Sequence, residues 1–191
     1  MMISHKKKLI FIHVHRTGGT SFGNILREKL DDSFEPFFQH TNAMTVEAEF
    51  FEKHRDYYKL GFTRNPWARI LSWYSLINLN DQKSMAEERS RLEEFIEVDH
   101  AADFAEQSFH YNALDYFTNK RGELMVDKIY RYENLHQEIN TIANQLNLHP
   151  IEIPTLNTTI PKDYREYYTD KSRRLLAQKC KKDIDYFNYT F

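Results

Sequence analysis

The stretch "FIHVHRTGGTSF", Phe11–Phe22, sets the fold. An apolar run from Leu9 to His15 reads as a buried strand, with lysines before it and Gly18–Gly19 after it. From Thr20 the period changes. Phe22, Ile25, Leu26 and Leu30 recur at helical spacing, which predicts a helix over Thr20–Leu30. The order is strand, glycine turn, helix. A helix starts with unbonded backbone N–H groups and positive partial charge, and a glycine turn lets an anion approach them closely. Thr20 and Ser21 add hydroxyl donors and Arg16 a multi-donor cation. Two readings of this loop stand side by side: an anion cradle and an ordinary structural turn. The nucleoside-triphosphate loop G-x-x-x-x-G-K-[ST] and the dinucleotide fingerprint G-x-G-x-x-G are both absent.

Working outward, Tyr58–Thr63 predicts a second strand, again feeding a helix start. Asn65 suits the cap of that helix and Pro66 its first turn. On this helix Trp67, Ile70, Leu71 and Tyr74 fall on one face, and Arg69 and Ser72 on the opposite side. Ser72 lies about 9 Å along the axis from Pro66. Arg64, at the strand end, and Ser72 suit one phosphate, as fork and hydroxyl donor. The plainer alternative is a capping arginine and a surface serine. Further helices are expected over Thr45–His54, Met85–Ile96, Ala101–Phe117, Leu135 to about Asn147, and Lys171–Lys182. Leu124–Tyr130 is expected as a third strand, with Asn134 or Glu133 capping the helix after it. The alternation predicts a single α/β domain over residues 1–191: a small parallel sheet flanked by helices.

Composition narrows the function classes. In 191 residues the formal net charge is only -2, without the basic footprint of a nucleic-acid binder. Cys180 is the only cysteine, so neither an internal disulfide nor a thiolate metal cluster forms. His13 and His15 share a strand face, but no third ligand is evident and no metal is expected. No segment is long enough to span a membrane; Lys6–Lys8 and the apolar run after them are too short for a signal peptide. A cytoplasmic location is expected.

Two anion loops after two strands suit a nucleotide phosphorylated at two positions. Here the sequence resembles the sulfotransferases that use 3'-phosphoadenosine 5'-phosphosulfate (PAPS), above all the carbohydrate and heparan-type enzymes and their bacterial relatives. "IHVHRTGGTSF" resembles their 5'-phosphosulfate loop and "FTRNPWARILSWY" their 3'-phosphate motif. "IYRYENL", "LNTTIPKDYREYYTD" and "DIDYFNYTF" extend the likeness over nearly the full length. The resemblance implies a P-loop-like fold. It implies that Arg16, Thr17, Gly18, Gly19, Thr20 and Ser21 hold the 5'-phosphosulfate, and Arg64 and Ser72 the 3'-phosphate. It also implies a small-molecule or saccharide acceptor with a hydroxyl or amine nucleophile.

The family usually carries proline and lysine where His15 and Arg16 stand. Arg16 keeps the positive charge but stays protonated, so it stabilises a leaving group without donating a proton. His40, in "QHTNAM", matches a histidine of several carbohydrate sulfotransferases and is the first choice for the base, with Glu47 and His110 as others. His15 and His110 are candidates for acceptor contact. Lys162 and Arg165 are placed to close over the phosphates, and Tyr164, Tyr167 and Tyr168 to stack on a base or an acceptor. Two rival classes remain: a nucleotide or small-molecule kinase, and a nucleotide-binding protein without transfer activity.

Overall fold

A computed structural model describes residues 1–29, 35–36, 41–78, 83–98, 109–147 and 163–191. In chain order the elements are β1 (Met2–Ser4), β2 (Leu9–Ile12), α1 (Gly19–Lys29), β3 (Glu35–Pro36), α2 (Ala48–Lys53), β4 (Tyr58–Thr63) and α3 (Pro66–Ile77). Then come α4 (Met85–Glu97), α5 (Leu114–Phe117), β5 (Lys128–Arg131), α6 (Leu135–Gln145), α7 (Asp170–Lys179) and α8 (Lys181–Phe187). Short 3-10 turns cover Tyr132–Asn134 and Tyr164–Tyr167. The chain divides into two compact units, Met1–Thr63 with Ala113–Leu156, and Arg64–Asn112 with Asn157–Phe191.

The first unit holds a five-stranded sheet of order β3-β1-β2-β4-β5. Strands β2, β4 and β5 are mutually parallel, with Phe11 opposite Leu60 and Phe62 opposite Tyr130. The sheet is mixed rather than wholly parallel, because β1 pairs antiparallel with both β2 and β3. Lysines 6–8 belong to the turn of the β1–β2 hairpin, where Lys8 adopts a left-handed φ of 48°. All four residues of β2 are buried, as a strand covered on both faces requires. Its side chains alternate between two cores. Leu9 and Phe11 join Phe22, Ile25 and Leu26 of α1 and Ile139 and Ile142 of α6. Ile10 and Ile12 join Phe51, Tyr116 and Phe117 on the other face. Each such side chain contributes about 1.5–3 kcal/mol by leaving water. Gly61 is required in β4 because a Cβ there would stand 2.2 Å from Phe117 Cε1.

The second unit is helical. Helix α3 is buried at every residue from Pro66 to Tyr74, so Arg69 and Ser72 are not on an exposed side. Trp73 stacks on Phe109 with ring centroids 3.8 Å apart, beside Leu92, Ile96 and Leu176. Capping boxes open α4 (Ser84 with Glu87) and α7 (Thr169 with Ser172). The helix expected over Lys171–Lys182 is two helices, α7 and α8, meeting at Cys180. Of the helix expected over Ala101–Phe117, residues 101–108 lie outside the described residues, and only Leu114–Phe117 is helical in the rest. The third strand is shorter and later than Leu124–Tyr130: Leu124 makes only an isolated bridge to Thr118, and β5 begins at Lys128. Asn134 sits at the N-cap of α6 but its side chain makes no cap bond, because the 3-10 turn Tyr132–Asn134 leads into the helix.

Candidate functional site

The anion loop lies in the first unit, between the end of β2 and the start of α1. The buried Thr17 hydroxyl donates to Val14 O at 3.0 Å and closes the turn. Arg16 at φ 63° and Gly18 at φ 77° are both left-handed. For arginine this conformation is unfavourable, and such strain collects at functional sites. The helical ladder opens with Phe22 N–H on Gly18 O at 3.1 Å, so the N–H groups of Gly19, Thr20 and Ser21 lie ahead of it. Thr20 is exposed, while His15, Arg16, Gly18 and Ser21 are half-buried. Partial burial draws the Arg16 guanidinium down from its ordinary value, and nearby Tyr132 works the other way. It remains a cation at neutral pH.

Both glycines are also steric requirements. A Cβ on Gly18 would stand 2.7 Å from Tyr132 Cε2, and one on Gly19 1.9 Å from His13 Cδ2. His13 is 5% exposed and stacks on Phe11, with centroids 5.8 Å apart and an interplanar angle of 20°. His13 is thus a wall of the loop. The two readings of the glycine pair hold together: packing demands small residues, and the same turn presents N–H groups and Arg16.

His15, at the mouth of the loop, is held by a residue from another element. Its Nδ1 lies 2.6 Å from the hydroxyl of Tyr116, a fully buried residue of α5. No motif pointed to Tyr116, and "IYRYENL" contains Tyr132 without marking it as a neighbour of the loop. Their only sequence signal is aromatic character near elements that return to the sheet. Glu47 is exposed at the N-terminus of α2 and makes no side-chain cap bond. His40 and Lys162 lie outside the described residues.

The second loop's residues lie in the second unit. The Asn65 side chain caps α3, accepting from Trp67 N–H at 3.1 Å and Ala68 N–H at 3.4 Å. Arg64 is 9% exposed and Ser72 2%. Ser72 is therefore not the surface serine of the plainer alternative. Asn65 Nδ2 donates to Thr190 O at 2.9 Å, and the Phe191 ring packs on Trp67 at 5.3 Å. Tyr168 is buried and its hydroxyl donates to Trp67 O at 2.8 Å, which removes it as a stacking platform. The Arg165 guanidinium lies over the Tyr164 ring at 4.8 Å.

Arg69 carries a weight that its spacing hid. It is fully buried, and its Nη2 donates to His110 O at 2.7 Å and Tyr111 O at 2.5 Å. Its carbon centre lies 5.2 Å from the centroid of Phe109. Nε and Nη1 are buried and have no hydrogen-bond partner among the described residues. His110 is half-buried in the non-helical segment that Arg69 fastens to α3. Among the described residues no group of three or more His, Cys, Asp or Glu side chains is arranged to hold a metal ion. No helix among them is long and apolar enough to cross a membrane.

The arrangement offers a strained cation with helix-start N–H groups in one unit, and in the other a buried arginine just before a capped helix and a buried serine within it. Comparison with known proteins bears on what that serves. The chain has 12% sequence identity to a sulfotransferase from Alicyclobacillus acidocaldarius known from its crystal structure; the match covers 96% of each chain with a TM-score of 0.42. Comparison with curated proteins gives no match. The model of the sulfotransferase family matches residues 1–190. The fold is α/β with a P-loop-like strand–loop–helix, and the chain belongs to the sulfotransferase family.

Proposed function

We propose that residues 1–191 act as one sulfotransferase-like domain that moves a sulfuryl group from PAPS to a hydroxyl or amine of a small-molecule or saccharide acceptor, in the cytoplasm. The observation that carries this reading is the loop between β2 and α1, where Arg16 is held left-handed beside three helix-start N–H groups. Helix-start N–H groups beside a cation favour an oxyanion, which supports this reading.

In this mechanism the acceptor attacks sulfur in line with the bond to the 5'-phosphate oxygen. The new bond to sulfur forms as the old one breaks, and the electron pair stays on the departing phosphate. Arg16 and the N–H groups of Gly19, Thr20 and Ser21 stabilise that charge, with Thr17 and Gly18 shaping the turn. Arg64 and Ser72 hold the 3'-phosphate. His40 takes the acceptor proton, His15 and His110 serve the acceptor side, and His15 also reaches the leaving group from the mouth of the loop. Arg16 contributes charge and no proton.

Calorimetric titration with adenosine 3',5'-bisphosphate tests the donor half. Binding at micromolar affinity or tighter is expected, and Arg64→Ala or Ser72→Ala should weaken it at least tenfold, about 1.4 kcal/mol. Transfer of labelled sulfate to a panel of saccharides and small alcohols tests the second half. His40→Ala should bind the bisphosphate normally and lose transfer. Tight ATP binding and turnover with no response to the bisphosphate would instead favour a kinase.

A further inference from the structure

Tyr116 lies outside every motif, yet it is anchored at both ends. Its N–H donates to Ala113 O at 3.1 Å and its carbonyl accepts from Ala43 N–H at 2.9 Å. Its side chain is fully buried in the core that holds Ile10, Ile12 and Val14. That core fixes the ring, and the hydroxyl emerges against His15 Nδ1 at 2.6 Å, with the rings 5.7 Å apart at 60°. A buried phenol takes a partner or loses about 1–3 kcal/mol. The phenol is the more acidic partner and an imidazole nitrogen the stronger acceptor, so the hydroxyl donates to Nδ1. That assigns the imidazole proton to Nε2.

We propose that Tyr116 is a positioning residue for the anion loop, which sets the ring orientation of His15 and keeps its proton on Nε2. This rests on the sulfotransferase reading given above. His15 directly precedes Arg16, the strained residue of the loop. With the donor bound, Nε2–H of His15 donates a hydrogen bond to an oxygen of the departing phosphate as the bond to sulfur breaks. The electron pair stays on that oxygen, and no proton need leave the ring. Arg16 offers charge and N–H donors without giving up a proton, and the neighbouring histidine adds a donor whose orientation Tyr116 fixes. Tyr116 never touches the donor and acts through His15 alone.

The test is Tyr116→Phe, which removes the hydroxyl and keeps the ring. Long-range proton–nitrogen spectra of histidine-labelled protein report which nitrogen of His15 is protonated. The wild type should show the Nε2–H form, and Tyr116→Phe a mixture of tautomers. Affinity for adenosine 3',5'-bisphosphate should also weaken, because its 5'-phosphate accepts the same hydrogen bond. Release of labelled sulfate from PAPS, with water as acceptor, should slow at least tenfold in kcat with little change in KM. The double variant with His15→Asn should be no slower than His15→Asn alone. Unchanged His15 nitrogen shifts in Tyr116→Phe, or unchanged turnover, would overturn the proposal. Should Tyr116→Phe fail to fold, His15→Asn at its half-buried site decides: full turnover there refutes the role. If the wild type binds no bisphosphate, the donor reading falls, while the tautomer comparison still decides whether Tyr116 sets the imidazole.

Discussion

Replacing Gly19 by alanine adds one methyl group at the point where His13 presses on the anion loop. The new Cβ would lie 1.9 Å from His13 Cδ2, 2.4 Å from Nε2 and 2.8 Å from Cγ. Three atoms of one ring stand inside contact distance, so a small tilt does not relieve the clash. The ring is 5% exposed and stacked on Phe11, which itself packs edge-on to Phe22 at 4.9 Å and Phe62 at 6.0 Å. Overpacking of this kind costs about 1–3 kcal/mol. Alanine returns up to about 1 kcal/mol as the better helix former at the first residue of α1. With three ring atoms inside 3 Å the cost falls in the upper part of that range, about 2–3 kcal/mol, and a net loss of about 1–2 kcal/mol remains once the full return is subtracted. At roughly 2–4 °C per kcal/mol for a chain of this length, Tm should fall by about 2–8 °C. Urea unfolding of wild type, Gly19→Ala, His13→Ala and the double variant makes a complete cycle. The double variant should be at least about 1 kcal/mol more stable than the sum of the single losses predicts, because truncating the ring makes room for the methyl group. Additive losses, or a Gly19→Ala protein that melts like wild type, would show that the glycine is not there to admit His13.

Arg69→Ala should lose about 3–5 kcal/mol in urea unfolding, because it leaves a cavity and strips the charged donor from the carbonyls of His110 and Tyr111. Arg69→Lys should recover only part of that, since one ammonium does not reproduce the fork. Thr169→Ala should lose about 1 kcal/mol at neutral pH by uncapping α7. The Thr169 hydroxyl, and after it Lys171, hold the Glu93 carboxyl below its ordinary range. A carboxylate depressed on folding stabilises above its unfolded pKa and loses that contribution as pH falls through the folded value. Stability of the wild type should therefore fall more steeply below about pH 4 than that of Thr169→Ala, as melts across pH 2–7 would show. Burial pushes the Cys180 thiol up to about 12, so a thiol reagent at pH 8 should label the unfolded chain and spare the native one.

Local physics was legible in the sequence. β4 spans the predicted Tyr58–Thr63, and α3 starts at Pro66 under an Asn65 cap, because proline and asparagine act within a few residues of themselves. The turn from β2 into α1 was equally plain, since glycine, threonine and serine declare a helix start without reference to anything distant. Three-residue β1 carries too short a pattern to be read, and it exists only because β2 offers an edge to pair with. The break between α7 and α8 was invisible, because the segment keeps its polar, helix-forming composition through Cys180. Periodicity put Arg69 and Ser72 opposite the apolar face, but on α3 both faces are covered.

The sequence by itself determined the α/β order, the two strand-to-helix loops and the residue types that suit anions, since each follows from chemistry within one turn of chain. Only the tertiary structure decided that Tyr116 meets His15, that Tyr132 and His13 demand Gly18 and Gly19, and that Arg69 grips two distant carbonyls. Those contacts join residues 6 to 114 positions apart, and no local preference encodes a partner at such range. Burial against the rest of the chain selects it.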